Sequence, residues 1–79
     1  MNERDTIAEL EQMAEGSYDA MYDARPHNVK DHYEDAQLYF SRAIEAAQRG
    51  GLTDEVMRLT RRVEHITDVY DTQFRGVGR

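Results

Sequence analysis

The chain contains no cysteine and no tryptophan, and it has a single proline among its 79 residues. Without cysteine, neither a disulfide nor a thiolate metal cluster can support the core, and such a composition suits the reducing cytoplasm. No apolar run approaches the roughly 20 residues that a membrane-spanning helix needs. The first five residues, MNERD, are too polar for a secretory signal. These absences predict a cytoplasmic protein with no membrane partner.

Apolar residues recur at alternating spacings of three and four in three stretches of the chain. This spacing places each set on one side of an α-helix, so it predicts three amphipathic helices. The sets are Ile7, Leu10, Ala14, Ser17, Met21 and Ala24; Val29, Tyr33, Ala36, Phe40, Ala43 and Ala47; and Val56, Leu59, Val63, Ile66 and Tyr70.

Capping residues and helix breakers set the predicted boundaries. Thr6 caps the first helix, Asn28 the second and Thr53 the third. Pro26 stops the first helix, and the Gly50-Gly51 pair ends the second. The predicted helices cover about 6–24, 29–49 and 54–74.

Short loops make consecutive helices pack antiparallel. The sequence therefore predicts an all-α fold, an up-down-up antiparallel three-helix bundle. We expect one domain over residues 1–75, followed by a flexible tail at 76–79. The residues expected deepest in the core are Phe40, Leu59, Val63 and Ile66. Met13, Tyr18 and Ala20, beside the first stripe, should widen this core, and Gly16 should mark the close approach of a neighbouring helix.

Negative charge is concentrated in the first predicted helix. The chain has a net charge of −6, and residues 1–24 alone hold seven acidic residues and one arginine. Four of these acids follow one another at steps of four residues and form a ridge: Glu11, Glu15, Asp19 and Asp23. The ridge is interpreted as a docking strip for a basic partner, as a solvated surface, or as a surface partly neutralised by Arg58, Arg61 and Arg62.

Two large side chains fall outside the predicted core stripes. Tyr22 lies one residue beyond the first stripe and Met57 one residue beyond the third. Both should be exposed in a monomer, either as scattered surface residues or as part of a docking or dimer face. The candidate partner-binding residues are therefore Glu11, Glu15, Asp19, Tyr22, Asp23 and Met57.

Catalytic and metal-binding patterns are weak in this chain. The three histidines, His27, His32 and His65, are not part of any Glu-x-x-His pair of the kind that builds metal sites in helical bundles. A weak divalent-metal site near His27 and His32 is an alternative to ordinary polar residues at a helix start. We predict no cofactor, no resident metal and no enzymatic activity.

One segment of the second helix resembles known helical hairpins. Ala36, Phe40 and Ala43 have the spacing used by the second helix of tetratricopeptide-like repeats. The segment 33–47 also resembles the hairpins of microtubule-interacting-and-trafficking domains. Hairpins of both families bind peptide segments of other proteins, so the resemblance implies a protein-binding module.

The predicted function is that of a small, non-enzymatic interaction or adaptor protein that acts through a helical surface. One alternative is a DNA-binding regulator, because the junction of the second and third helices has a spacing near that of a helix-turn-helix. Its recognition helix would carry Arg58, Arg61 and Arg62. The net charge of −6 disfavours nucleic acid as a partner. The other alternative is a structural homodimer whose stripes pair between chains.

Overall fold

The protein is an all-α three-helix bundle. The structure, a computed structural model, describes residues 2–75. Within that range the helices are α1 (Glu3–Asp23), α2 (Val29–Arg49) and α3 (Thr53–Val69), and no strand is present. A 3₁₀ turn, Pro26–Asn28, precedes α2, and a π-helical turn, Tyr70–Phe74, extends α3. The tail predicted at 76–79 lies outside the described residues.

Consecutive helices run antiparallel, as predicted. Tyr33, in the first turns of α2, stacks on Tyr70 at the end of α3. Arg4 lies near Asp54, and Tyr22 contacts Phe74, so α1 and α3 run in the same direction. The molecule is elongated, measuring 41 × 20 × 13 Å. None of its helices within residues 2–75 is both long enough and apolar enough to cross a membrane.

The first helix begins earlier than the sequence predicts. Asn2, not Thr6, caps α1, since its side-chain oxygen accepts a hydrogen bond of 2.9 Å from the Asp5 amide. An asparagine is at least as good an N-cap as a threonine, so the earlier cap adds nearly one turn to the helix. The end of α1 before Pro26 and the bounds of α2 agree with the prediction, but the cap predicted at Thr53 is wrong, since Thr53 is the first residue of α3 and Leu52 is at the N-cap position.

The core consists of one cluster drawn from all three helices. Its members are at most 7% exposed: Ile7, Ala14, Tyr18, Met21, Val29, Ala36, Phe40, Ala43, Ala46, Ala47, Leu59 and Ile66. Three of the four residues expected deepest are thus confirmed, but Val63 is only partly buried. Met13 does not widen the core, because its side chain is 51% exposed.

Small side chains make up much of the buried face of α2. Four alanines of α2 are fully buried: Ala36, Ala43, Ala46 and Ala47. Alanine lets two helix backbones approach closely, and α1 packs more extensively against α2 than α3 does. The expectation that Gly16 serves such an approach is wrong, since a Cβ built there has no atom within 4 Å.

A glycine is required instead at the end of α2. Gly51 has φ +68°, a left-handed conformation that costs residues with a Cβ about 1–2 kcal/mol. The Leu52 amide donates to the Ala47 carbonyl at 2.9 Å, and the Gly51 amide donates to Gln48 at 3.1 Å. These two bonds form a Schellman motif, which satisfies carbonyls that the helix end leaves free.

Alanine substitutions at two glycines should therefore change stability in opposite directions. Gly16→Ala should raise the free energy of unfolding by about 0.5–1 kcal/mol, because glycine disfavours a helix interior and the added methyl meets open space. Gly51→Ala should lower it by about 1–2 kcal/mol. Urea denaturation measures both, and destabilisation by Gly16→Ala would contradict the open environment found at this position.

Candidate functional site

The acidic ridge predicted on the first helix divides into two pairs in the structure. Each step of four residues turns the side chain by about 40° around the helix axis, because an α-helix has about 3.6 residues per turn. The ridge therefore moves about 120° around α1 between Glu11 and Asp23. Glu11 and Glu15 form ion pairs with α3, whereas Asp19 and Asp23 are exposed to solvent.

Arg58 of α3 binds Glu11 across the α1/α3 contact. Its two terminal nitrogens donate to the two carboxylate oxygens of Glu11 at 2.7 and 2.8 Å. Its Nε donates to Glu55, three residues earlier on α3, at 2.6 Å. This bidentate geometry is the strongest form of an arginine–carboxylate pair, and it links α3 to α1.

Arg62 repeats this arrangement one helical turn later. It donates to the two oxygens of Glu15, each at 2.7 Å. Its guanidinium carbon also lies 5.2 Å from the centre of the Tyr18 ring, within the range of a cation–π contact. Half of the predicted ridge thus belongs to internal ion pairs, which confirms for Glu11 and Glu15 the interpretation that α3 arginines neutralise them.

These contacts change the proton affinities of the groups involved. The hydrogen bonds from Arg58 lower the pKa of Glu11 below its ordinary value of 4.5. The bonds to Glu11 and Glu55 raise the pKa of Arg58, and the bond to Glu15 raises that of Arg62. Burial, followed by the hydrogen bond with Tyr22, raises the pKa of Tyr18 to about 12.

The Glu11–Arg58 pair should make part of the stability dependent on acid pH. Because folding lowers the Glu11 pKa, the pair stabilises the protein above pH 4.5 and loses this effect as the pH falls through the lower folded value. Arg58 is 49% exposed, so the contribution near neutral pH should be about 0.5–1 kcal/mol. Unfolding of wild type and Glu11→Gln, compared from pH 7 to pH 3, measures it.

A matched control distinguishes this pair from a general effect of charge. Glu45 is exposed and is in none of the ion pairs found within residues 2–75. We expect the stability difference between wild type and Glu11→Gln to shrink in acid, and Glu45→Gln to show no such change. A Glu11→Gln difference that stayed constant down to pH 3 would contradict the role assigned to the pair.

Asp19 and Asp23 form the free half of the ridge. Both are exposed, and neither takes part in an ion pair with any described residue. Asp5 and Glu9 are further exposed acids on this side of the helix. The guanidinium groups of Arg58 and Arg62 bind Glu11 and Glu15 directly, whereas Asp19 meets Arg62 only through a longer-range charge interaction that helps to raise the Arg62 pKa. This outward side of α1 therefore carries negative charge in contact with solvent.

Tyr22 lies next to this free half and is 53% exposed, as predicted. Its hydroxyl shares a hydrogen bond of 2.9 Å with that of Tyr18, and its ring meets Phe74 edge-on with centroids 5.0 Å apart. The π-helical turn at the end of α3 positions Phe74 for this contact. One face of the Tyr22 ring is thus held in place while the rest remains accessible.

Met57 does not share a surface with Tyr22. It is 51% exposed, as predicted, but it lies near the start of α3. Seventeen residues separate it from Phe74, the residue of this segment that contacts Tyr22, which corresponds to about 25 Å along the helix. The six candidate residues therefore occupy three places: an internal ion-pair flank, a free acidic side with Tyr22, and an isolated methionine.

Sequence reasoning missed two exposed apolar side chains. Met13 is 51% exposed and Leu38 is 47% exposed. The exposure of Met13 could have been found from the sequence, because Met13 belongs to a second set of residues that starts at Glu9, repeats at spacings of four and three, and lies on the other side of the helix from the core stripe. The exposure of Leu38 could have been found in the same way, since its position is about 160° around the helix from the buried Phe40.

A polar and aromatic cluster joins α2 to the end of α3. The rings of Tyr33 and Tyr70 stack in parallel with centroids 3.8 Å apart. The Tyr33 hydroxyl accepts from Gln37 at 2.6 Å and donates to Thr67 at 3.3 Å. The ring stack and these hydrogen bonds hold the last turns of α3 against α2.

The arginines proposed for DNA contact are largely engaged within the protein. Arg58 and Arg62 form the bidentate pairs with α1. Arg61 is exposed and outside the ion pairs observed among residues 2–75. One unengaged arginine remains of the three expected on a recognition helix.

Two shallow depressions of about 250 and 310 Å³ lie where the α2–α3 loop approaches the start of α1, and Leu52 lines both. No group of three histidine, aspartate or glutamate side chains within residues 2–75 is arranged to hold a metal ion.

Comparison of the chain with protein-family models, with curated proteins and with solved structures finds no match in any of the three.

Proposed function

We propose that this protein is a small, non-enzymatic interaction module that binds a basic partner protein through the solvent-facing side of α1. The observation that carries the proposal is the division of the acidic ridge. Glu11 and Glu15 are neutralised by α3, while Asp19 and Asp23 remain exposed and outside the ion pairs of the described chain. In the proposal the protein acts in the cytoplasm, as its lack of cysteine suggests.

Charge concentrated on one helix supports a role in recognition. Residues 1–24 hold the equivalent of the entire net charge of −6, because acids and bases balance over the rest of the chain. A surface of one sign attracts partners of the opposite sign and discourages others. Tyr22 adds a large amphipathic ring beside these carboxylates, and tyrosine is enriched at protein interfaces.

The two alternative functions have less support. DNA binding through α3 would require Arg58 and Arg62 to leave bidentate pairs with α1, and the phosphates would still face an acidic protein. A homodimer built from the apolar stripes has little left to bury, because those stripes pack on one another within a single chain.

The experiment compares two variants with the same change in total charge. In Asp19→Lys/Asp23→Lys the proposed surface is reversed, whereas Glu45→Lys/Glu64→Lys reverses exposed acids on α2 and α3. Each variant is used to capture proteins from the cells that make this chain, with quantification against wild type at low and high salt. We expect the first variant alone to lose wild-type partners, and these partners to be basic and released by salt. Equal capture by both variants would refute the proposal.

A further inference from the structure

The solvent-facing side of α1 carries a second helical seam. Its five members follow one another at steps of four, three, four and three residues: Glu9, Met13, Gly16, Ala20 and Asp23. This is the spacing by which one helix packs along another in a coiled coil. Because α1 uses a different set of residues for its own core, this seam faces outward: Glu9, Met13, Gly16 and Asp23 are exposed, and Ala20 is partly buried.

The centre of the seam has the shape of a helix-packing site. Met13 is a large apolar side chain that is 51% exposed. Gly16 lies one turn further along, and a Cβ there would have no atom within 4 Å, so nothing in the described chain occupies the space. A projecting methionine beside a gap over glycine is what a facing helix needs to insert a large apolar residue of its own.

The glycine has no role in the free protein that accounts for it. Glycine in a helix interior is less stable than alanine, yet Gly16 makes no close backbone approach and adopts no left-handed conformation. Its absent side chain leaves a gap on the outer side of α1 that a residue approaching from outside could fill. This separates the seam from the charged surface alone, since Gly16 contributes shape and no charge.

Charge at the ends of the seam identifies the kind of partner. Glu9 and Asp23 close the seam at its two ends, and neither is in an ion pair with another described residue. Their fourteen-residue separation corresponds to about 21 Å along the helix. Asp19 adds a further free carboxylate on the flank. A facing helix would meet negative charge at both ends and apolar surface between them.

A second copy of this chain does not fit this pattern through the same seam. In a parallel pair each end acid would meet its own counterpart, and in an antiparallel pair Glu9 would meet Asp23. Both arrangements place like charges opposite one another, in a chain whose net charge is already −6.

We infer that an amphipathic α-helix of another protein docks along the seam of Glu9, Met13, Gly16, Ala20 and Asp23. That helix carries lysine or arginine at two seam positions about fourteen residues apart and large apolar residues between them, one of which packs over Gly16. This inference rests on the proposed function and adds the shape and the spacing of the partner.

Two synthetic helical peptides of three heptads provide the probe. The first has lysine at two seam positions fourteen residues apart and leucine at the three positions between them. The second has the same composition, with both lysines moved to the opposite face. Fluorescence anisotropy should show that the first peptide binds at least about fivefold more tightly than the second. The difference comes from the two exposed charge pairs that only the first peptide can form with the seam. When the first peptide binds, the changes in the amide chemical shifts of the protein, measured by NMR, should lie within residues 9–23.

Substitution at Gly16 tests the shape of the seam. Gly16→Leu places a side chain in the gap and should weaken binding of the first peptide at least about tenfold. It should leave the free protein folded, because the new Cβ meets open space and leucine favours helices. Ser41→Leu, at an exposed site on α2, is the control and should leave the affinity unchanged.

Three results would overturn the inference. The two peptides could bind equally well, Gly16→Leu could bind the first peptide as tightly as wild type does, or the amide chemical-shift changes could be confined to α2 and α3. If the wild-type chain self-associates and the Gly16→Leu variant is monomeric, the occupant of the seam is a second copy of the chain, and this result would also overturn the inference. If Gly16→Leu keeps the partners that Asp19→Lys/Asp23→Lys loses, the seam inference fails and the proposed function stands.

Discussion

Phe40→Ala should lower the free energy of unfolding by about 3–5 kcal/mol, the largest single effect expected in this protein. Phe40 is 1% exposed and is among the largest fully buried side chains. Its replacement removes the whole phenyl ring from the core and leaves a cavity that the helices around it can only partly close. Urea denaturation followed by circular dichroism measures the loss.

The effect should be large compared with the total stability. A 79-residue domain has a free energy of unfolding of about 4–12 kcal/mol. Leu38→Ala is a matched control, since Leu38 lies two residues away on the same helix and is 47% exposed. We expect the control to change stability by no more than about 0.5 kcal/mol. Similar losses in the two variants would mean that α2 is rotated from the orientation described above.

Ile66→Ala should lower the free energy of unfolding by about 2–5 kcal/mol. Ile66 is 2% exposed and, with Leu59, is one of the two core residues that α3 contributes. Because α3 supplies so few core residues, the loss of one should loosen its attachment to the α1/α2 pair. The expected result is a lower urea midpoint measured by circular dichroism.

Met57→Ala is the control on the same helix, because the Met57 side chain is 51% exposed. It should shift the free energy of unfolding by about 0.5 kcal/mol or less. If Ile66→Ala cost no more than Met57→Ala, the side of α3 that packs on the bundle would have to be reassigned.

The helices and their order could be predicted because the relevant signals are local. The spacing of three and four identifies the helices, and Pro26 and the Gly50-Gly51 pair separate them. A helix start was harder to predict where two residues could each serve as the N-cap. Thr6 and Asn2 are both good caps, and only the structure shows that the Asn2 oxygen meets the Asp5 amide.

The division of the acidic ridge could not be decided from the sequence. Regular spacing made four carboxylates look equivalent, whereas the neutralised pair is selected by where Arg58 and Arg62 of α3 lie. That position depends on packing between helices distant in sequence. The assignment of Met13 failed for a related reason: Met13 and Ala14 belong to two overlapping seams, and only packing shows which seam faces inward.

Sedimentation equilibrium over a hundredfold range of concentration is the most direct test of the central claim. That claim is that the three apolar stripes bury one another within one chain and leave the outer side of α1 free for another protein. We expect a mass of 9.2 kDa, that of one chain, at every concentration. A mass that rose toward twice this value would contradict it, because surface described as free would then be covered by a second copy.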